Sequence, residues 1–231
     1  MVVTAETLRG IEAFRTLTAK ERDELASRCV GSHHGANEQI ISHQEESTDV
    51  YFIVSGKVRA TIYSQSRRQV SFRDITAGQM FGDLSAIDGK PRSATVVALS
   101  DSIIVSMPAD VFWRALRRHP EVAEALLKEL AQLIRYLSDR VFEFSTLGVK
   151  NRIHAELLRL AYEHRQGENS ASISPAPTHA DIASRISTHR EAVTRELTNL
   201  METGLITRAS GALIINDVAR LEKMVQEVIG H

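Results

Sequence analysis

Near residue 110 the hydrophobic period of the chain changes from that of strands to that of helices, and this change limits the folds open to it. Between about residues 36 and 108 the apolar residues alternate in short runs such as Val50–Val54, and a period of two indicates half-buried strands. Many short strands at close spacing are typical of an antiparallel barrel or jelly roll. Ser55-Gly56, between two of these runs, predicts a tight hairpin, and before the strands Thr18 and Glu21 have the spacing of a capping box. After Asp110 the apolar spacing becomes helical. The sequence therefore predicts an α+β protein in which a β-roll precedes helices.

The first helical segment is long, and one of its faces has a heptad spacing. It starts at His119-Pro120 and is predicted to reach about residue 145, since proline fits the first helical turn. The seam residues, spaced three and four apart, are Leu127, Leu130, Ile134, Leu137, Val141 and Phe144. Such a seam can pack on the chain's own barrel or on a second copy. Another stripe, Ala123, Leu126 and Leu133, is available for the barrel, which favours a parallel homodimer through the seam.

A hinge at Phe144–Gly148 is predicted to lead into a compact helical region. A helix over 150–163 is followed by a polar, turn-rich loop over 166–177. Further on, the final helix over 217–229 is amphipathic, and its packing partner is not evident from the pattern.

Two short helices with a tight break between them predict a DNA-reading motif. Thr178 caps a helix that reaches residue 186, Ser187-Thr188 interrupts it, and Thr188 caps a second helix through Glu202. The apolar face of the second helix is formed by Val193, Leu197, Leu200 and Met201. Residues 204–215 then read as a strand, a Ser-Gly turn and a strand. This order is that of a winged helix-turn-helix.

Three polar residues of the second helix have the chemistry to read base edges. Arg190 and Arg195 can each pair with guanine, and Glu191 can accept from the cytosine amino group. Alternatively, Glu191 acts only as a capping acid and the two arginines are solvated surface residues. The formal net charge is −1, so DNA binding requires a local basic patch rather than a basic chain.

Composition excludes several other classes of protein. No apolar run approaches the ~20 residues that cross a bilayer, and the N-terminus lacks the pattern of a secretory signal. Cys29 is the only cysteine, which excludes an internal disulfide and a multi-cysteine metal site. His33, His34 and His43 lack the helical i, i+4 spacing of a metal site and are interpreted as surface residues. No nucleophile–base grouping suggests an enzyme, and the expected location is the cytoplasm.

A loop within the strand region, Phe81–Ala94, interrupts the alternation with the sequence FGDLSAIDGKPRSA. Gly82-Asp-Leu and Pro91-Arg-Ser-Ala94 resemble the phosphate-binding cassette of cyclic-nucleotide-binding domains. Arg190-Glu-Ala-Val-Thr-Arg195 resembles the recognition helix of the Crp/Fnr family of transcription regulators. The order of barrel, long helix, hinge and winged helix-turn-helix is also similar to that family, from about residue 10 to 215.

The resemblance implies a ligand and a set of residues that bind it. Backbone N–H groups after Gly82, the Arg92 guanidinium and Ser93 would bind the cyclic phosphate, and Asp83 would accept from the ribose 2′-hydroxyl. The implied nucleotide-binding residues are Gly82, Asp83, Leu84, Arg92, Ser93, Ala94, Leu137 and Ser138. The implied DNA-binding residues are Thr178, His189, Arg190, Glu191, Thr194 and Arg195.

The chain departs from the family pattern at two of these positions. Asp83 stands where nucleotide-binding members usually have glutamate, and Leu137 stands where they have a base-contacting threonine, with Ser138 retained. A leucine cannot hydrogen-bond the adenine amino group, so cyclic AMP and cyclic GMP are both open as effectors. The alternative is a member that has lost nucleotide binding and regulates constitutively or through another effector.

The sequence thus predicts a β-roll over 1–118, a dimerisation helix with its hinge over 119–147, and a winged helix-turn-helix domain over 148–231. The resemblance implies a transcription regulator that binds a palindrome with TGTGA-like half-sites. Its implied partners are double-stranded DNA, a second copy of the chain and RNA polymerase; no metal and no membrane are expected.

Overall fold

The alternating runs form two antiparallel sheets, as expected for a β-roll. The structure is a computed structural model that describes residues 1–63 and 69–229. The strands before residue 110 are β1 (Val30–His34), β2 (Gln39–Ile41), β3 (Val50–Ser55), β4 (Lys57–Tyr63), β5 (Gln69–Thr76), β6 (Met80–Phe81), β7 (Thr95–Ala98) and β8 (Ser102–Met107). In the described residues, one sheet has the order β1-β8-β3-β6 and the other has the order β2-β7-β4-β5.

Ser55-Gly56 does not form the tight hairpin that its sequence suggests. β3 and β4 flank this dipeptide but belong to different sheets, so the chain crosses between the two sheets here. Gly56 has a φ of 94°, and a Cβ at this position would lie 2.2 Å from Oγ of Ser102. The glycine therefore allows a close-packed corner, and β3 pairs with β8 and β6 instead of β4.

Short helices surround the roll, and a long one follows it. They are α1 (Ala5–Arg9), a 3₁₀ turn (Glu12–Phe14), α2 (Ala19–Ala26), α3 (Asp83–Asp88), α4 (Ala109–Arg118) and α5 (Pro120–Thr146). Thr18 and Glu21 form a reciprocal capping box at the start of α2, as their spacing predicts. Phe14, Phe52 and Phe112 pack together in the main core of the roll, where all three are fully buried.

The exposed face of α5 agrees with the predicted seam, with two exceptions. Leu127, Ile134 and Val141 are each about two-thirds exposed, and Leu137 is also exposed. Leu130 packs against the core of the roll instead, while Phe144 is covered by the side chains of Arg140 and Arg152. Leu126 of the second stripe is buried in the roll, as expected.

The described residues fall into two units, with the division inside α5 between Ile134 and Arg135. The elements that follow α5 are α6 (Val149–Glu163), β9 (Arg165–Gln166), β10 (Ser170–Ile173), α7 (His179–Arg185), α8 (Arg190–Glu202), β11 (Ile206–Ala209), β12 (Ala212–Ile215) and α9 (Val218–Ile229). The break between α5 and α6 falls at Leu147-Gly148, inside the predicted hinge.

Part of the predicted loop over 166–177 is a strand. β9 and β10 form a hairpin, and β10 also pairs with β12, which extends the wing to the sheet order β11-β12-β10-β9. Ala171 and Ile173 point into the core and are buried, but two apolar residues in a polar segment are too weak a signal to predict a strand. The final helix α9 packs on α6 through Val218, Leu221 and Val225, whereas Val228 is exposed.

No helix in the described part of the chain is long and apolar enough to cross a membrane.

Candidate functional site

The loop after β6 forms a short helical cassette between two glycines in the left-handed region. Gly82 has φ 79° and Gly89 has φ 69°, and α3 lies between them. A Cβ on Gly82 would lie 2.7 Å from Nη1 of Arg92 and 3.1 Å from the carbonyl oxygen of Asp49. A Cβ on Gly89 would meet no atom within 4 Å. Gly82 is therefore required both for its conformation and for the close approach of Arg92.

Arg92 points into the roll and is 2 % exposed, and among the described residues it is the largest of the fully buried side chains. Its Nε donates to Oγ of Ser47 at 2.9 Å, and its Nη1 and Nη2 donate to the carbonyls of Gly82 and Asp49, each at 2.8 Å. The guanidinium also lies 5.5 Å from the centre of the Tyr51 ring. Its backbone is held as well, because Arg92 N–H donates to the carbonyl of Glu45.

The hydrogen-bond partners of Arg92 are neutral. Within the residues that the structure describes, no carboxylate forms an ion pair with it. The pKa of the Glu45 carboxyl is lowered by hydrogen bonds from Ser47 and Ser42, and the positive charge of Arg92 lowers it further. Burying a cation without a paired anion is costly, so this arrangement suits the binding of an anion at Arg92.

Asp83 starts α3 beside the arginine. Burial raises the pKa of the Asp83 carboxyl, while Arg73 and Arg92 oppose the shift. Arg73 in turn donates to Oε1 of Glu129 on α5 at 3.1 Å. Burial likewise raises the pKa of Glu129, against the attraction of Arg73. The acid of the cassette thus lies among two arginines and a second acid.

The structure brings together the predicted residues of the cassette, but not all in the same environment. Arg92 is buried and Asp83 and Ala94 are partly buried, whereas Leu84 and Ser93 are exposed. Leu137 and Ser138 lie on the part of α5 that belongs to the second unit, where both are exposed. Ser47 and Asp49 hold the guanidinium, yet nothing in the sequence predicted them. The Ser47 hydroxyl and the Asp49 backbone carbonyl belong to no sequence motif, so the sequence could not predict their contacts with Arg92.

The helix-turn-helix forms as predicted, with two local differences. Thr178 and Asp181 form a capping box at α7, and Ser187 in the turn has φ 50°, a conformation that glycine adopts more easily. The N-cap of α8 is His189 rather than Thr188, and its side chain makes no capping bond. On α8, Val193, Leu197 and Leu200 are buried, but the predicted Met201 is exposed and Glu196 takes a buried position.

The opposite face of α8 is exposed. Its polar side chains include Arg190, Glu191, Thr194 and Arg195, and His189 precedes them in the same exposed stretch. Arg190, Glu191, Thr194 and Arg195 lie in the N-terminal half of α8. The N-terminal residues of such a helix contact base edges when it enters a major groove. The face can therefore present two guanidinium groups and one carboxylate to DNA.

A chain of three hydrogen bonds links the wing to this face. Arg208 of β11 donates to Nε2 of His179 at 2.8 Å, Nδ1 of His179 lies 2.7 Å from Oγ1 of Thr194, and Thr194 donates to the carbonyl of Arg190 at 3.0 Å. Because Arg208 can only donate, Nε2 accepts and Nδ1 carries the proton. Burial lowers the pKa of His179, and the charges of Arg208 and Arg190 lower it further. The sequence does not predict a role for His179 or Arg208, because their hydrogen bonds join residues that lie far apart in the chain.

His34, one of the three histidines near the N-terminus, has ordinary polar partners. Its Nδ1 lies 2.7 Å from Oε1 of Glu38, and its Nε2 lies 2.9 Å from Oγ of Ser32. Among the described residues, no group of three or more histidine, cysteine or acidic side chains could hold a metal ion.

Comparisons with known proteins agree with this geometry. Residues 33–119 match the family model for a cyclic nucleotide-binding domain, and residues 151–224 match that for a Crp-like helix-turn-helix domain. The chain is 26 % identical to the cyclic AMP receptor protein of Thermus thermophilus, over 94 % of this chain and 98 % of that one. It is also 26 % identical to a CRP-like cAMP-activated global transcriptional regulator of Mycobacterium tuberculosis, over 80 % and 83 %.

A solved structure shares the fold. FixK2 from Bradyrhizobium japonicum superposes with a TM-score of 0.73 at 19 % identity, over 85 % of this chain and 96 % of that one. With a cyclic nucleotide-binding domain followed by a Crp-like helix-turn-helix domain, the chain is a Crp/Fnr-type transcription regulator.

Proposed function

We propose that the chain is a homodimeric regulator whose affinity for a palindromic DNA site rises when cyclic AMP or cyclic GMP binds the cassette. The observation that carries this proposal is the buried guanidinium of Arg92, whose hydrogen-bond partners among the described residues are neutral. The exocyclic oxygens of a cyclic phosphodiester carry one negative charge. They would compensate the arginine in a site where water screens poorly, which makes the pairing favourable.

In this proposal, Gly82, Ser93 and Ala94 bind the phosphate with Arg92, and Leu84 borders it. Asp83 accepts from the ribose 2′-hydroxyl, for which the carboxylate form is the better acceptor. The charges of Arg73 and Arg92 favour this form and help to keep the acid ionised. Leu137 and Ser138 would contact the base, and of the two only Ser138 has a side chain that can donate or accept a hydrogen bond there.

The proposed DNA site is a palindrome with TGTGA-like half-sites, one for each protomer. Arg190, Glu191 and Arg195 would read base edges, since all three are exposed on one end of α8. Thr178, His189 and Thr194 would contact the backbone or the groove wall. Two reading helices require two chains, and the exposed apolar residues of α5, among them Leu127, Ile134 and Val141, form a surface that a second copy would cover.

Nucleotide and DNA would be coupled thermodynamically. A ligand shifts the balance between two arrangements only by its differential affinity for them. If the nucleotide raises DNA affinity by some factor, DNA must raise nucleotide affinity by the same factor.

Two titrations test the proposal. Calorimetry with cyclic AMP and cyclic GMP measures effector binding, and fluorescence anisotropy with a TGTGA palindrome measures DNA binding with and without each nucleotide. We expect one nucleotide to bind and to raise DNA affinity at least tenfold. Arg92→Ala should weaken nucleotide binding by roughly 10- to 150-fold, because a hydrogen bond to a charged group contributes about 1.5–3 kcal/mol. Wild-type nucleotide affinity in Arg92→Ala would refute the phosphate role of the arginine.

A second candidate function is regulation without a cyclic nucleotide. Two observations favour it: Asp83 and Leu137 depart from the family pattern, and the Arg92 guanidinium already has three acceptors within the protein. It predicts no heat with either nucleotide but tight binding of the palindrome by the protein alone. The same two titrations therefore separate the two candidates.

RNA polymerase as a partner and a cytoplasmic location are proposed from the family resemblance only.

A further inference from the structure

Five charged side chains form a buried network where α5, α6 and α7 meet. Oε2 of Glu143 lies 2.7 Å from Nη1 of Arg140, and Oε1 of the same residue lies 2.6 Å from Nη2 of Arg159. Oε2 of Glu156 lies 3.3 Å from Nη1 of Arg140, and Oε1 lies 3.3 Å from Nη1 of Arg185. Arg159 also contacts Glu156. Glu156 is 1 % exposed and Arg140 is 5 % exposed, so solvent screens these charges little.

The network bridges the break between α5 and α6. Arg140 and Glu143 precede Leu147-Gly148 on α5, whereas Glu156 and Arg159 follow it on α6. Ion pairs therefore join the helix before the predicted hinge to the helix after it. Within the second unit, the end of α5 cannot turn relative to α6 without separating these pairs.

Two contacts of the network reach α7 of the DNA-reading motif: the ion pair of Arg185 with Glu156 and a backbone hydrogen bond from Arg140. Nη2 of Arg140 donates to the backbone carbonyl of Arg185, the last residue of α7. The last carbonyls of a helix have no partner within the helix, and the dipole makes this end favourable for a cation. After Arg185 the chain runs through the Ser187 turn, and α8 begins at Arg190. The contact thus holds the residue from which the turn departs.

Removal of Arg140 would be selective. Without it, Glu143 keeps Arg159, and Glu156 keeps Arg159 and Arg185, so neither buried carboxylate is left unpaired. Besides the ion pairs of Arg140 with Glu143 and Glu156, the losses are the bond to the Arg185 carbonyl and the stacking of the guanidinium on Phe144, 4.8 Å from the ring centre. Buried ion pairs often add little net stability, but they can select one arrangement over others.

We propose that Arg140 is a positioning residue for DNA recognition, which fixes the end of α7, and through the Ser187 turn the start of α8, against the end of the long helix. This inference rests on the proposed function for its DNA readout. Leu137 precedes Arg140 by three residues on α5 and so lies about one turn away on a neighbouring face. A ligand that contacts Leu137 or Ser138 would therefore lie about one helical turn from the hydrogen bond between Arg140 and Arg185.

The test compares Arg140→Met, which keeps the length of the side chain but removes charge and donors, with Arg140→Lys, which keeps the charge. Lys128→Met is the matched control, because it removes an exposed ion pair with Glu124 on the same helix. Anisotropy with the TGTGA palindrome should show at least tenfold weaker DNA binding for Arg140→Met, partial recovery for Arg140→Lys and no change for Lys128→Met. DNA affinity of Arg140→Met within twofold of the wild type would overturn the proposal.

Hydrogen exchange gives a second readout that does not depend on DNA or nucleotide. In Arg140→Met, the amides of residues 186–190 should lose protection at least tenfold, while those of β12 keep theirs. If the wild type fails to bind the palindrome, the proposed function fails, and the exchange data alone decide on Arg140. Unchanged protection of the turn would overturn the positioning role in that case. Should Arg140→Met fail to fold, Arg140→Lys is judged by the same two measurements.

Discussion

At the scale of single residues, the cassette depends on a glycine whose hydrogen atom faces a guanidinium. Gly82 and Gly89 both adopt positive φ, at 79° and 69°, so each avoids a backbone cost that other residues would meet. Only at Gly82 would an added Cβ also lie within 2.7 Å of Arg92. Both glycines therefore meet a conformational requirement, and Gly82 alone also meets a steric one.

Gly82→Ala and Gly89→Ala form a matched pair for this reason. Both should lower the free energy of unfolding by about 1–2 kcal/mol through backbone strain. Only Gly82→Ala should also displace Arg92 and weaken nucleotide binding at least tenfold. Urea unfolding and calorimetry measure the two effects. Equal nucleotide affinity in the two variants would show that the approach of Gly82 to Arg92 does not matter for binding.

The titration of Asp83 gives a pH prediction. Its pKa is raised above the ordinary 3.8 by burial, so the folded protein takes up this proton more readily than the unfolded chain does. The buried carboxylate therefore costs stability at neutral pH, and this cost disappears as the pH falls through the raised pKa. Nucleotide binding should follow the opposite trend, because the protonated acid is a poorer acceptor for the ribose hydroxyl.

We expect nucleotide affinity to fall with decreasing pH, starting above pH 3.8. Asp83→Asn should bind more weakly and lose this part of the pH dependence. Asp83→Glu, the residue usual in the family, should keep it. Calorimetry across a pH series measures all three proteins; an unchanged pH profile in Asp83→Asn would exclude the carboxylate as the titrating group.

At the scale of elements, α8 is held from behind by a polar contact. Oε1 of Glu196 lies 2.7 Å from Nε2 of His154 on α6, and both side chains are nearly buried. Lys150 lies further away, with Nζ 3.9 Å from the same oxygen. A carboxylate on the core side of an amphipathic helix breaks the apolar pattern, and its partner from α6 explains why the pattern tolerates it.

Glu196→Ala should lower the free energy of unfolding by about 1–3 kcal/mol, because it leaves His154 buried without this partner. Glu202→Ala, at the exposed end of the same helix, should change it by no more than about 0.5 kcal/mol. Chemical denaturation measures both. A cost in Glu202→Ala equal to that in Glu196→Ala would show that the loss does not come from the contact with His154.

At the scale of the whole molecule, the proposed dimer places the exposed apolar residues of α5 at its interface. Val141 is 64 % exposed, so replacing it with a charge costs a single chain little. Val141→Asp should convert a dimer to a monomer, since two buried like charges would face each other across a parallel seam. DNA affinity should then fall, because one chain presents one reading helix.

Gln132→Asp is the control, an exposed position on α5 half a turn away from Val141 around the helix. It should remain a dimer. Light scattering coupled to gel filtration gives the mass of each variant, and circular dichroism checks that the helix content is kept. A dimeric Val141→Asp would exclude this face of α5 as the interface.

The amino-acid sequence by itself determined the class and order of the elements. Period-two runs predict the roll, a heptad seam predicts α5, and the capping residues Thr18 and Thr178 mark two helix starts, because these signals are local. Family motifs also predicted Arg92 and the N-terminal end of α8 as binding positions, and this stays a prediction. The polar pattern of 166–177 hid a strand, and Ser55-Gly56 suggested a hairpin that does not form, since pairing partners lie far away in the chain.

Only the tertiary structure decided which groups surround the functional side chains. Arg92 meets Ser47 and the carbonyl of Asp49, His179 joins Arg208 to Thr194, and Arg140 reaches Arg185. Each of these contacts joins residues at least 15 positions apart and uses side chains that are ordinary at the surface of a protein. These contacts depend on burial and geometry, which are properties of the packed chain and not of any local stretch of sequence.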